Sequence, residues 1–414
     1  MAKRPLGLGK AAKAKKQKKS STDPSTTTTS TIDEQPEASN ELTVELSEEV
    51  DPNDEFAQLK ALHATYAKSD KDNQLVLNGI IHECDRLLRN TKEDISKIPD
   101  YFHAIYAISL SELARFHTDE IDKVKEFFGA GLERVELGLE KYKDSIALAF
   151  AKARILLNRL PLEFVSQLEV DSTGEGLDKL LDEALDVYEQ GEQKADELKE
   201  YDLFNEDNLD FLSALDDFLD IVDNFGKDIM EGEDDDDEDD EEDEVELSPE
   251  HPLYNIRNED KYNQWWRDHT ETYLKNIDKQ TKKEEVEVLR REVCKRLGQS
   301  YLQEAEIPSS VFTTLTYDEG FQDEEELHGL TKDEAGKISK ELISKALEYL
   351  KQAEDKEEPQ SWVDIAEAMI SLGNLYELDS EEQENLYTEA EKILNKANNI
   401  TNGKYTDVLE NLLQ

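Results

Sequence analysis

The chain has 414 residues, 37% of them hydrophobic and 36% charged, with a formal net charge of −52. No stretch of about 20 apolar residues is present, which argues against a membrane span. A surface this acidic repels phosphate backbones, so specific nucleic-acid binding is not expected. Sparse Gly and Pro, with 17 and 10 copies, favour helices over strands.

Eight of the first nineteen residues, MAKRPLGLGKAAKAKKQKK, are Lys or Arg and none is acidic, so residues 20–414 carry −60 of the net charge. Lys3 and Arg4 form one basic cluster, and Lys15, Lys16, Lys18 and Lys19 form another. Two clusters with a ten-residue spacer are the pattern that import receptors read as a bipartite nuclear signal. A rival reading is a nucleic-acid-binding tail, but the arm has no aromatic residue to stack on bases. There is no apolar core of a secretory leader. Residues 1–54 as a whole, Ser-, Thr- and acid-rich after the arm, read as a disordered tail.

Helical periodicity begins near Asp54. Phe56, Leu59, Leu62 and Tyr66 form one stripe, and Leu77, Ile80, Ile81, Cys84, Leu87 and Leu88 a second. After Pro99 come YFHAIYAISLSEL and four further amphipathic segments ending near Phe225. Twelve consecutive acids follow at 233–244, EDDDDEDDEEDE. Such density reads as a solvated linker, residues 227–251, between a first helical block at 55–226 and a second at 252–414. No alternating strand pattern stands out. The fold class expected is all-α, a tetratricopeptide-like or HEAT-like helical-repeat solenoid with a disordered N-terminal tail and an acidic linker.

The second block carries the repeat pattern most clearly. A tetratricopeptide unit pairs Leu-Gly-x-x-Tyr on one helix with Ala-x-x-x-large-x-x-Ala on the next. Leu297, Gly298 and Tyr301 match the first half, and Ala346, Leu350 and Ala353 the second, with an insertion (307–336) between them. Leu372, Gly373 and Tyr376 begin another unit, and Ala390, Leu394 and Ala397 follow at a spacing about five residues longer than the pattern. The first block holds weaker echoes: Gly131, Val135 and Gly138, and Ala184, Tyr188 and Gly191. In this register the concave face carries Lys295, Gln299 and Asn374, candidates for holding a partner peptide. The adjacent Trp265 and Trp266 point about 100° apart on a helix, placing one in the core and leaving the other as a candidate interface anchor.

Catalytic chemistry does not assemble. The seven histidines form no ligand-like cluster, His82-Glu83-Cys84-Asp85 lacks the second His of a zinc-protease helix, and GLGK at 7–10 lacks the spacing of a phosphate loop. Cys84 and Cys294 read as free thiols. No enzyme activity, metal or cofactor is expected.

MAKRPLGLGK, NDEFAQLKAL at 53–62 and VLNGIIHECDRLLRN at 76–90 resemble the fungal enhancer of translation termination family. One member of it is described as a negative regulator of a prolyl-hydroxylase-like dioxygenase. The resemblance implies a nuclear, non-enzymatic, all-helical repeat protein. It implies roles in translation termination and in hypoxic gene expression. It also implies association with an iron- and 2-oxoglutarate-dependent dioxygenase and with translation factors. The reading of charge alone leaves an alternative, an acidic chaperone for histones or basic ribosomal proteins. Whether PLGLGK at 5–10 is a docking motif or a spacer stays open.

Overall fold

A computed structural model describes residues 50, 51, 53–91, 98–227, 245–280, 283–321 and 324–412. The basic arm and the run at 233–244 lie outside these residues. The described residues belong to one compact unit.

Helices start where short polar side chains can take up their free amides. Asp54 caps α1 (Glu55–Ala67), and Asn73 accepts from two amides of α2 (Gln74–Asn90). Pro99 precedes α3 (Asp100–Glu112), which is followed by α4 (Ile121–Lys141). Ser145 caps α5 (Ile146–Arg159). Next come α6 (Asp178–Leu198) and α7 (Glu206–Asp223), the latter capped by Asn205. After the acidic run lie α8 (Tyr254–Asn258), α9 (Lys261–Ile277), α10 (Lys283–Glu304) and α11 (Glu306–Tyr317). Thr331 and Glu334 make a reciprocal capping box at the start of α12 (Lys332–Gln352). Pro359 opens α13 (Pro359–Gly373), Ser380 caps α14 (Glu381–Ile400), and α15 (Thr406–Leu412) ends the described chain. The one sheet among the described residues pairs β1 (Glu326–Leu327) with β2 (Leu330–Thr331) through a turn in which His328 and Gly329 both have positive φ.

The apolar side chains form four cores that succeed one another along the chain. The first joins α1, α2 and α3 through Leu59, Leu77, Ile80 and Phe102. The second joins α3, α4 and α5 through Ala107, Phe128, Val135 and Leu148. The third runs from Ile146 to Leu297 with Ala353, and the fourth from Ala305 to Tyr405. Each core is built from consecutive helices, the packing logic of an all-α helical-repeat solenoid.

The acidic run does not separate two cores. Phe211, Leu215, Phe218 and Val222 of α7 share the third core with Leu253, Ile256, Tyr262 and Trp266 from beyond the run. Arg257 explains how the run is bridged. Its Nε and Nη2 donate to the Val222 carbonyl at 2.9 and 2.6 Å, and Nη2 also donates to the Phe225 carbonyl. Its Nη1 donates to the Val245 carbonyl at 2.9 Å. One guanidinium thus adds to the bonds on the carbonyls at the end of α7 and clasps both flanks of the run. Charge density alone pointed to a division at 227–251, because a run of like charges says nothing about whether its two ends lie together. Within that span, Leu247 and His251 are buried.

Candidate partner-binding site

The face proposed for a partner is set by how α10, α12, α13 and α14 interlock. At Gly298 a Cβ would lie 2.7 Å from Leu350 Cγ and 3.2 Å from the Ala346 carbonyl oxygen, so only glycine lets α12 approach α10 this closely. Leu297, Ala346 and Leu350 are buried around the crossing, as are Tyr301 and Ala353. Tyr301 stacks on Tyr349 with ring centroids 5.8 Å apart, and its hydroxyl donates to Glu271 at 2.8 Å.

In the next pair the notch at Gly373 is filled by Tyr387, whose Cε1 lies 2.5 Å from where a Cβ would stand. The sequence pattern pairs Gly373 with Ala390. The structure instead puts Tyr387, three residues earlier, at the crossing, which accounts for the long spacing. Ala390, Leu394 and Ala397 are fully buried and extend the fourth core beyond it, with Leu372 also buried and Tyr376 half-buried against that core.

The insertion at 307–336 is no plain loop. Most of α11 comes from it, and Phe312 of α11 enters a third notch at Gly336 of α12, 2.7 Å from the glycine's absent Cβ. Tyr317 at the end of α11 lies near enough to Tyr387 to help raise its hydroxyl pKa, after burial as the larger cause. The unit is therefore three helices where the pattern asks for two.

Lys295 is half-buried on α10 and Gln299 is exposed one turn later. Neither makes a hydrogen bond or ion pair among the described residues. Asn374 is exposed at the end of α13, and its Oδ1 accepts from the Tyr387 hydroxyl. No hydrogen bond among the described residues joins Asn374 to Lys295 or Gln299, although α10 and α13 both pack on α12.

Glu367, which the repeat register puts among the concave-face positions, and Asp216, which the sequence does not single out, are carboxylates with raised pKa values. Asp216 on α7 is exposed, yet its pKa is pushed up to about 6, mainly by the protein packed around it, against the pull of Arg296 on α10. Glu367 on α13 is likewise exposed and raised by its surroundings. In both, burial of the carboxylate is the first cause of the rise.

Trp266 belongs to the third core, with its Nε1 donating to the Leu212 carbonyl at 2.8 Å. Trp265 is half-buried, stacks on His269 at 3.9 Å and donates to Glu189 at 2.6 Å. Among the described residues no three His, Cys, Asp or Glu side chains are placed to hold a metal ion. His82 is exposed, and Asp85 accepts from the Tyr106 hydroxyl. Both cysteines are free and buried, and burial pushes the Cys294 thiol up to about 11. No helix among the described residues is long and apolar enough to cross a membrane.

Comparison with known proteins places these features. A family model described as nuclear pore complex subunit Nro1 matches residues 1–413. The chain is similar to the enhancer of translation termination 1 of Debaryomyces hansenii, 60% identical over 99% of both chains. It is similar at 59% identity to that of Scheffersomyces stipitis over the full length of both. Among solved structures, the S. pombe nuclear import adaptor Nro1 is similar in fold, with a TM-score of 0.55 at 16% identity, over 86% of this chain and 98% of that one. A second is titled "The hypoxic regulator of sterol synthesis Nro1 is a nuclear import adaptor"; it has a TM-score of 0.54 at 18% identity over 86% of this chain and 93% of that one.

Proposed function

The chain belongs to the Nro1 family, and from that premise we propose that it is a nuclear, non-enzymatic adaptor that holds a protein partner on the face that carries Lys295, Gln299 and Asn374. In this reading it serves translation termination and hypoxic gene regulation, through association with a 2-oxoglutarate-dependent dioxygenase. The names of its relatives, an enhancer of translation termination and a nuclear import adaptor, support that direction. The observation that carries the reading is the face itself. Lys295 and Gln299 stand on it without partners among the described residues, while the neighbouring helices are locked by glycine notches that leave the face little freedom to rearrange. Lys3, Arg4, Lys15, Lys16, Lys18 and Lys19 are proposed as the address read by an import receptor.

Binding of the purified dioxygenase tests the face. Lys295→Glu combined with Asn374→Ala is expected to weaken it by about tenfold, the size of effect expected from a lost interfacial charge contact. Unchanged binding sinks the proposed face. Deleting 233–244 is expected to leave the affinity unaltered. If binding is instead lost on deletion, and is steeply salt-sensitive in the intact chain, the acidic-chaperone reading takes its place. Replacing Lys15, Lys16, Lys18 and Lys19 by Ala is expected to abolish nuclear accumulation, and persistence in the nucleus removes the address.

A further inference from the structure

A polar cleft of about 460 Å³ lies between α6 and α9, lined in part by Glu189, Glu192, His269, Asn276 and Lys279. It adjoins a second hollow of about 450 Å³ around Tyr201 and Gln280, with Lys279 common to both. Most of its polar atoms are already paired. His269 bonds Glu192 Oε2 through Nδ1 at 2.8 Å, Trp265 donates to Glu189, and Lys279 reaches Asp196 at 2.9 Å.

Two buried side-chain atoms of the lining residues are not paired. Asn276 is 2% exposed, and its Nδ2 has no hydrogen-bond partner among the described residues. Its orientation is set, because Lys279 can only donate and gives its proton to Asn276 Oδ1 at 3.0 Å. The second is Glu192 Oε1, a buried acceptor without a donor. Buried polar atoms are nearly always hydrogen-bonded, so a lone donor and a lone acceptor in one cleft call for a group that is both. A guanidinium or ammonium supplies donors only and leaves Asn276 Nδ2 unmatched. Glu189, Glu192, Asp196, Lys275 and Lys279 line the cleft, and the His269 imidazole lies between Glu189 and Glu192.

We propose that this cleft is a recognition pocket for the carboxamide side chain of an asparagine or glutamine in an extended partner segment. The carboxamide nitrogen donates to Glu192 Oε1 and its oxygen accepts from Asn276 Nδ2. The flanking main chain lies along the adjoining hollow past Lys279. The pocket is built from α6 and α9, and it stands whether or not the face of Lys295, Gln299 and Asn374 takes a partner.

The test uses the full chain labelled with nitrogen-15 and the indole N–H of Trp265, one of three tryptophans. The probes are the tripeptides acetyl-Ala-Gln-Ala-amide, acetyl-Ala-Arg-Ala-amide and acetyl-Ala-Leu-Ala-amide. The glutamine peptide is expected to shift the Trp265 signal saturably while Trp266, bonded inside the core, stays put. The other two are expected to bind at least about tenfold more weakly, the factor for one buried hydrogen bond. Asn276→Asp keeps an acceptor for Lys279, replaces the donor by a charged acceptor, and is expected to weaken the glutamine peptide by at least a similar factor. Asn276→Leu serves as a second variant, with helicity followed by circular dichroism. Three results overturn the proposal: no saturable shift with the glutamine peptide, meaning the cleft holds water only; tighter binding of the arginine peptide; or full affinity in a folded Asn276→Asp chain.

Discussion

The helices before the acidic run and those after α10 both meet closely at glycines, but they differ in what else holds them. In the first region a charge network is buried. Arg154 of α5 pairs with Glu112 of α3 and with Asp207 and Asp210 of α7, and Lys71, in the turn before α2, also pairs with Asp210. Arg154 and Glu112 are only 7% and 5% exposed. Burial alone would raise the Asp207 carboxyl, but His63, Arg154 and Lys71 together outweigh it and hold it below the usual carboxylate range. From residue 305 onward the buried polar groups among the described residues are Ser339, Ser361 and Gln383, all uncharged. There the helices are located by notches, with Leu350, Tyr387 and Phe312 each entering beside a glycine. A charge network ties several helices at one point and is costly to break. A notch locates one pair at a time and tolerates more.

Three measurements test that contrast, taken from the largest expected effect to the smallest. Arg154→Met leaves Glu112 buried without its partner and is expected to cost about 3–5 kcal/mol in urea unfolding. A cost under about 1 kcal/mol would mean the buried charges do not hold the first region. Next is acid sensitivity. His103 on α3 has no hydrogen-bond partner for either ring nitrogen, and burial, then Arg134 and Lys141, lowers its pKa to about 4. The unfolded chain takes up that proton near pH 6.5, whereas the folded chain resists it, so this contribution is present above 6.5 and lost as pH falls towards 4. The loss amounts to about 3 kcal/mol at most. His103→Gln, which cannot titrate, is expected to flatten that part of the pH profile; an unchanged profile refutes the assignment. Asp216 works in the opposite direction, since its raised pKa makes the folded chain the better proton binder between the ordinary carboxylate range and about 6.

The smallest effect belongs to the notches. Gly298→Val is expected to cost about 1–3 kcal/mol by overpacking against Leu350. Combined with Leu350→Ala, the two costs are expected to fall short of their sum, because the smaller side chain vacates the contact. Strict additivity would show that Gly298 and Leu350 do not share one crossing.

Helix positions and the small-into-large rule were legible at Gly298, Leu350 and Gly373 because both depend on residues a few turns apart. Even the weak echo at Gly191 marks a close approach, with Phe150 standing 3.0 Å from its absent Cβ. The partner of Gly373 was missed, since Tyr387 and Ala390 lie on neighbouring turns and only the crossing angle chooses between them. Asp216 and the orphaned amide of Asn276 could not be found from spacing, because their character comes from what other helices place around them.

The amino-acid sequence by itself determined that this is an acidic, all-helical chain, where its helices begin, and which residues are small enough to let helices meet. Periodicity, capping and side-chain size are local properties and need no partner to be read. Tertiary structure alone decided that the acidic run interrupts a core without dividing it, and that Arg257 clasps both its ends. It also decided that Arg154 is met by three carboxylates and that a buried donor and a buried acceptor are left unpaired on residues that line a cleft. Those outcomes depend on groups distant in the chain meeting at hydrogen-bond distance, such as Arg257 with Val245, 12 residues apart, and Arg154 with Asp207, 53 apart, and only the packed helices bring them there.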